Sequence, residues 1–199
     1  MEYPNSILKL IENFKRLPGV GEKSAERYAF SINELEKEDV LDFAESLNDV
    51  KNKIKKCSIC NNITENDICD ICSDINRDKK TICVVENIKN VFSFENLSVY
   101  NGLYFVLDGL ISPIDGIGPE DLNIDKLIQR IKDEQIKEVI LAINPSIEGE
   151  TTLLYIQKLL ESNDVIVTRI AHGIPLGADI EYIDPLTLEM ALNDRKEVS

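Results

Sequence analysis

No stretch of this sequence is apolar enough to cross a membrane, since its hydrophobic runs fall far short of the roughly 20 residues a bilayer requires. Low-complexity tracts and internal repeats are absent too, which excludes a repeat array. Met1-Glu2-Tyr3-Pro4 opens no export signal, and Lys and Glu interrupt the early apolar positions, so a cytoplasmic location is expected. A phosphate loop of the Gly-x4-Gly-Lys type is missing. Asp115-Gly116-Ile117-Gly118-Pro119 lacks the third glycine of a dinucleotide fingerprint and runs into proline, which excludes a Rossmann site. Histidine is reduced to one residue, His172, with no neighbouring cysteine, serine-base pair or second histidine; a structural or interface role is expected for it. Positive charge is scarce: 22 Lys+Arg stand against 36 Asp+Glu, a formal net charge of −14. That total argues against a nucleic-acid partner, but its distribution does not. Residues 1–56 carry 10 basic and 11 acidic side chains, leaving 12 and 25 for residues 57–199. Any contact with phosphate therefore belongs near the N-terminus, and the acidic remainder faces protein partners, cations or solvent.

Four of the five cysteines fall in two close pairs, Cys57-Ser-Ile-Cys60 and Cys69-Asp-Ile-Cys72. Each pair can turn tightly enough to put two thiolates on one ion, and two such turns complete the tetrahedral sulfur cage of a structural zinc site. The polar link from Asn61 to Ile68 is short, which predicts a compact knuckle. Two disulfides are the alternative, but nothing points to an oxidising compartment. With all four positions filled by protein no place remains for water, so one structural Zn²⁺ per chain is expected to hold the fold and do no chemistry. The fifth cysteine, Cys83, reads as a buried strand residue.

Ahead of the knuckle, Ile7, Leu10, Ile11 and Phe14 lay one apolar stripe along a helix beginning near Asn5, and Pro18 stops it. Ala25, Tyr28, Ala29 and Ile32 repeat the pattern in a second helix, with Glu22, Lys23, Glu26 and Arg27 on its other face. Between them Leu17-Pro18-Gly19-Val20-Gly21 allows only a tight reversal. Gly19 and Gly21 can take positive φ and expose backbone N–H groups, while the second helix adds its unpaired amides and the positive end of its dipole. Such a turn is an anion cradle, and Lys23 and Arg27, one turn apart, can reach along a phosphate backbone from it. A third helix is predicted from about Asp39 to Lys53 with Val40, Phe43, Ala44, Leu47 and Val50 inward. Lys51, Lys53, Lys55 and Lys56 then run into the knuckle, either as a solvated helix end or as further phosphate contacts.

After the knuckle, Ile82–Val85, Leu103–Leu107, Val139–Ile143 and Val165–Val167 are short apolar runs, as expected of strands covered on both faces. Phased stripes at Ile124, Leu127, Ile128 and Ile131 and at Leu153, Ile156, Gln157, Leu159 and Leu160 put helices between them. Alternation of this kind predicts a mostly parallel sheet whose functional residues collect at the carboxyl ends of the strands. That edge holds Glu86, Asp108, Asn144, Ser146, Glu148 and Glu150.

These motifs carry resemblances. Leu17-Pro18-Gly19-Val20-Gly21 followed by Lys23 is similar to the helix-hairpin-helix motif, which grips nucleic-acid backbones without reading sequence. Glu86 after one strand and Asn144-Pro145-Ser146-Ile147-Glu148-Gly149-Glu150 after another resemble the Toprim domain, in which the earlier glutamate and two aspartates hold Mg²⁺. Here Asn144 and Ser146 stand at both aspartate positions, which removes two charges and puts tight Mg²⁺ binding in doubt; Glu86, Glu148 and Glu150 remain, either to hold a weak ion or as an acidic docking surface.

In this order and at this length, the motifs resemble the RecR family of bacterial recombination mediators. Arg16 through Ala25, the four cysteines, Ile82 through Glu86, Ser112 through Leu122 and Thr168 through Gly173 carry the likeness. Asp108 and Ala178 depart from it where glycine is expected, and Ile143 where threonine is. The resemblance implies an α/β chain in four parts. These are a helix-hairpin-helix region (1–56), a four-cysteine zinc finger (57–76), a Toprim-like, mostly parallel sheet flanked by helices (80–175), and a C-terminal helical segment (176–199) bearing Leu186, Leu188, Ala191 and Leu192. It further implies a non-catalytic, nucleoid-associated protein of recombinational DNA repair. Such a protein acts with RecO and/or RecF to help load RecA onto gapped or single-stranded DNA, as a ring of four subunits with the hairpin regions turned toward the opening. The residues that would meet single-stranded, gapped or double-stranded DNA without sequence preference are Arg16, Gly19, Gly21, Lys23 and Arg27. Glu86, Glu148 and Glu150 would form the partner surface, and the C-terminal segment would pack between subunits. The alternative is a Mg²⁺-dependent Toprim nuclease or strand-transfer enzyme.

Overall fold

The computed structural model describes residues 3–171 and 173–195 of the chain. His172 and the last four residues of the expected C-terminal segment, 196–199, lie outside the described residues. The chain divides into two compact units, Met1–Ile54 and Lys55–Ser199.

The first unit contains α1 (Asn5–Phe14), α2 (Glu22–Glu34) and α3 (Lys37–Lys53). Helices α1 and α2 close a small core around Ile11, Ala25 and Ala29, with Ile7, Leu10, Phe14 and Val20 packed on it. The two alanines have no bulk to hold the helices apart, and their spacing of four keeps both on one face. The expectation for α3 is overturned: none of its side chains is buried, and Phe43, Leu47 (58% exposed) and Val50 (62%) face outward. Its apolar periodicity is real, but α1 and α2 satisfy each other and the unit offers α3 no covering element.

The second unit begins with the knuckle, where β1 (Lys55–Lys56) pairs antiparallel with β2 (Ile63–Thr64) and the single turn α4 (Asp70–Ser73) follows. The chain then alternates through β3 (Thr81–Val85), α5 (Ile88–Leu97), β4 (Leu103–Val106), α6 (Ile124–Asp133), β5 (Glu138–Ala142), α7 (Ile147–Leu160) and β6 (Ile166–Arg169), and ends in α8 (Pro185–Asn193). The four longer strands form one parallel sheet in the order β4-β3-β5-β6. Alternating residues feed two cores. Ile82, Val84, Leu103, Phe105, Val139 and Leu141 meet Ile124, Leu127, Ile131, Ile156 and Leu160 on one face. Cys83, Val85, Tyr104 and Val106 meet Val91 on the other.

Two further expectations need correction. β6 is an edge strand, not a strand covered on both faces, and Ile166 is 66% exposed. The buried face of α7 runs through Gly149, Thr152, Ile156 and Leu160, so Leu159, one residue out of phase, points outward. Cys83 is buried as expected, and burial pushes its thiol up to about 12.

A polar cluster closes the β4 side of the sheet. Arg77 pairs with Glu95 and donates to the Gly102 carbonyl at 3.1 Å, while the Tyr104 hydroxyl donates to Glu95 Oε1 at 2.8 Å. Burial pushes the Glu95 carboxyl up, but the hydrogen bonds from Arg77 and Tyr104 outweigh it and hold the group below its ordinary value. A depressed carboxyl stabilises the fold above its unfolded-state value, and that contribution is lost as pH falls through the folded-state value. Glu95→Gln is therefore expected to cost about 2 kcal/mol in urea unfolding at neutral pH. Its deficit against the parent chain should shrink once the carboxyl protonates; a deficit that stays constant down to pH 3 would contradict this assignment.

Candidate metal centre and nucleic-acid interface

The ligand atoms of Cys57, Cys60, Cys69 and Cys72 lie within 4.8 Å of one another, and the first three residues are buried. Among the described residues this is the group of three or more His, Cys, Asp or Glu side chains that comes together closely enough to hold an ion. The backbone N–H of Cys69 donates to Cys57 Sγ at 3.3 Å, and Cys60 Sγ lies 3.5 Å from Cys69 Sγ. That contact, foremost, pushes the Cys60 thiol up and pulls the Cys69 thiol down. Four sulfurs this close cannot all be thiolates unless a cation sits among them, which is the chemistry of a closed zinc cage.

The cage is fastened to the sheet. Asn61, with φ +61°, turns the first cysteine loop, and Cys57 N–H donates to Asn62 O at 2.7 Å. Val106 N–H donates to Cys60 O at 2.9 Å, and Asn61 Nδ2 returns a hydrogen bond to Val106 O at 3.2 Å. The knuckle thereby covers the outer edge of β4. From α6 the buried Arg130 donates to Tyr104 O at 2.9 Å and places Nη2 4.0 Å from Cys72 Sγ. The sequence reading missed Arg130, although it falls in phase with Leu127 and Ile131 and so had to face inward with a charge.

In the first unit, Gly19 takes φ +77° and Gly21 caps α2 in an extended conformation, φ −85°, so only one of the two glycines uses the left-handed region. Gly21 O accepts from Ala25 N–H at 2.9 Å, and no side chain caps the helix. The amides of the first turn of α2 therefore point out of the turn without an intrahelical partner. Arg16 in the preceding turn, Lys23 in the first turn of α2 and Arg27 one turn further on are exposed and form no ion pair among the described residues. Lys15 is different: Nζ binds Glu12 at 2.9 Å and Glu22 at 2.7 Å, which offsets the carboxylate at the head of α2. Of the later lysines, Lys53 pairs with Asp49 and Lys56 with Asp108.

At the carboxyl edge of the sheet, Asn144 Nδ2 donates to Glu86 Oε2 at 2.8 Å. Ser146 caps α7 by accepting from Gly149 N–H at 3.0 Å, and Arg169 approaches Glu150 at 3.3 Å. Glu86, Glu148 and Glu150 thus share an edge but do not converge on one point. Asp108, which departs from the expected glycine, holds φ +72°, the backbone region that explains the expectation; its side chain is tied to Lys56. Ala178 avoids the problem because its neighbour Gly177 takes the positive φ.

Four family models match successive stretches of the chain. Residues 7–51 match the family described as RecR, helix-hairpin-helix; 54–74 match the RecR four-cysteine zinc finger domain; 80–171 match the Toprim domain; and 173–196 match RecR, C-terminal. Recombination protein RecR of Staphylococcus haemolyticus is 51% identical to this chain over the full length of both. The chain belongs to the RecR family. Its four cysteines are the structural zinc site of a RecR zinc finger, and its turn at Gly19–Gly21 lies in the RecR helix-hairpin-helix region. Among the described residues no helix is long and apolar enough to cross a membrane.

Cys60→Ser is expected to abolish stoichiometric zinc, measured by elemental analysis. Because Cys60 O and Asn61 hold Val106, it should also lower the melting temperature of the sheet-bearing unit. Zinc loss with unchanged melting would show that the knuckle is only an appendage.

Proposed function

We propose that this chain is a non-catalytic DNA-binding recombination mediator that acts with RecO and/or RecF. In this role it helps load RecA onto gapped or single-stranded DNA as a ring-shaped clamp of four copies. The observation that carries the reading is the uncapped head of α2 together with exposed Arg16, Lys23 and Arg27 in and around its first two turns, three cations without ion pairs among the described residues. Gly21 adds to it: neither its φ nor its surroundings require glycine, since a Cβ there would meet open space. A bare backbone at that point leaves room for a phosphate to approach.

A single turn of this kind binds weakly, and several copies on one strand bind through effective concentration. The uncovered apolar faces of α3 and of α8, where Leu186 is 61% and Leu192 66% exposed, support self-association. Glu86, Glu148 and Glu150 provide an acidic edge for a protein partner. The non-catalytic reading rests on what Asn144 and Ser146 do: one occupies Glu86 and the other caps a helix, so both aspartate positions serve the fold.

Binding should be weak, insensitive to sequence and strongly salt-dependent. The double variant Lys23→Glu/Arg27→Glu should lose detectable binding to single-stranded and gapped DNA while keeping its zinc content and oligomer mass. Parent-like affinity in that variant would remove the assignment. Labelled gapped DNA incubated with the protein and Mg²⁺ should stay intact; cleavage that disappears in Glu86→Gln would instead support the enzyme.

A further inference from the structure

Arg27 and Tyr28 are consecutive on α2, and consecutive side chains on a helix leave it about 100° apart. Their contact is therefore not a by-product of helix geometry. The Arg27 guanidinium carbon nevertheless lies 5.4 Å from the centroid of the Tyr28 ring, so the long side chain curls back over the helix surface onto the aromatic face. The ring also packs against α1. It meets Phe14 of α1 edge-on, with centroids 5.6 Å apart and planes at 68°, and it remains 39% exposed. Phe14 packs on the small core of the unit, so a continuous line of contacts runs from that core through Phe14 and Tyr28 to the guanidinium. Among the described residues Arg27 has no carboxylate partner to hold it instead.

We propose that Tyr28 is a positioning residue for DNA binding: its ring holds the Arg27 guanidinium in place on the surface of α2 before DNA arrives. The inference rests on the reading of that turn as the DNA grip. The ring attracts the cation through its quadrupole, and it leaves the charge and the hydrogen-bond donors of the guanidinium free for phosphate oxygens. An arginine held in this way loses less conformational freedom on binding than one ordered only by the ligand.

Binding of a labelled single strand is measured at one fixed, low salt concentration for Tyr28→Leu, Tyr28→Phe, Arg27→Ala and the Tyr28→Leu/Arg27→Ala double variant. Tyr28→Leu is expected to weaken binding about two- to fivefold, the range an exposed cation–π contact allows. Tyr28→Phe, which keeps the ring face, should recover the parent affinity to within about twofold of it. In the Arg27→Ala background Tyr28→Leu should change nothing further, because the ring acts through the arginine. A loss from Tyr28→Leu as large in that background as in the parent would overturn the proposal, since the ring would then touch DNA itself. Parent-like binding by Tyr28→Leu would overturn it as well. Parent-like binding by both Arg27→Ala and Lys23→Glu/Arg27→Glu would instead sink the DNA-grip reading, which keeps the two failures apart. Tyr28→Met preserves apolar contact with Phe14 but has no ring, so it should bind like Tyr28→Leu even if the smaller core is sensitive to leucine.

Discussion

Four sulfurs crowded within 4.8 Å are the constraint on which the second unit depends. Without a cation their charges repel and their protons must be retained; with one, the two cysteine turns are locked and their backbone becomes a rigid edge. That edge is what β4 is bonded to, through Cys60 O and Asn61. The zinc therefore does more than stabilise a small appendage. It terminates a parallel sheet that would otherwise expose the unpaired backbone of β4, and the charge of Arg130 bridges the metal side of the junction to α6. The other end of the sheet, β6, has no such cover within the described chain.

At the carboxyl edge of the sheet two uncharged side chains, Asn144 and Ser146, are both engaged within the fold. An aspartate at 144 would repel Glu86 unless a divalent ion lay between them. The amide of Asn144 needs no ion there and donates one hydrogen bond of 2.8 Å to Glu86. Ser146 is likewise engaged, as the cap of α7. Around them lies an acidic surface with Glu148 half-buried and Glu150 next to Arg169.

Much of this was legible in the sequence because period and spacing are local properties. The cysteine pairs, the α1–α2 hairpin, and the cores of β3, β4 and β5 followed from them directly. The failures share a cause: periodicity says that a face is apolar, not what covers it. Val165-Ile166-Val167 reads the same at the edge of a sheet as at its centre, and the stripe on α3 reads the same buried or bare. Helix α5 was missed because Ile88, Val91, Phe92, Phe94 and Leu97 are interleaved with polar residues without a clean phase; its clearer signal is the Asn87 and Asn90 capping box. The docking roles of Asn61 and Arg130 depend on contacts 45 and 26 residues away in the chain, to which no window of the sequence is sensitive.

The distribution of charge links these pieces. Nearly all of the negative excess lies after residue 56, so the proposed DNA grip is the part of the chain where phosphate meets little net repulsion. Even there the charges are not simply summed. Lys15 is spent on Glu12 and Glu22, and the lysines leading into the knuckle include two bound by aspartates. Arg16, Lys23 and Arg27 are few for a strand of phosphates, and each exposed contact is weak and screened by salt. A site built this sparsely gains from whatever reduces the cost of ordering each cation, and from repetition across copies of the chain. The aromatic contact on Arg27 answers the first requirement, and the bare apolar faces of α3 and α8 are suited to the second.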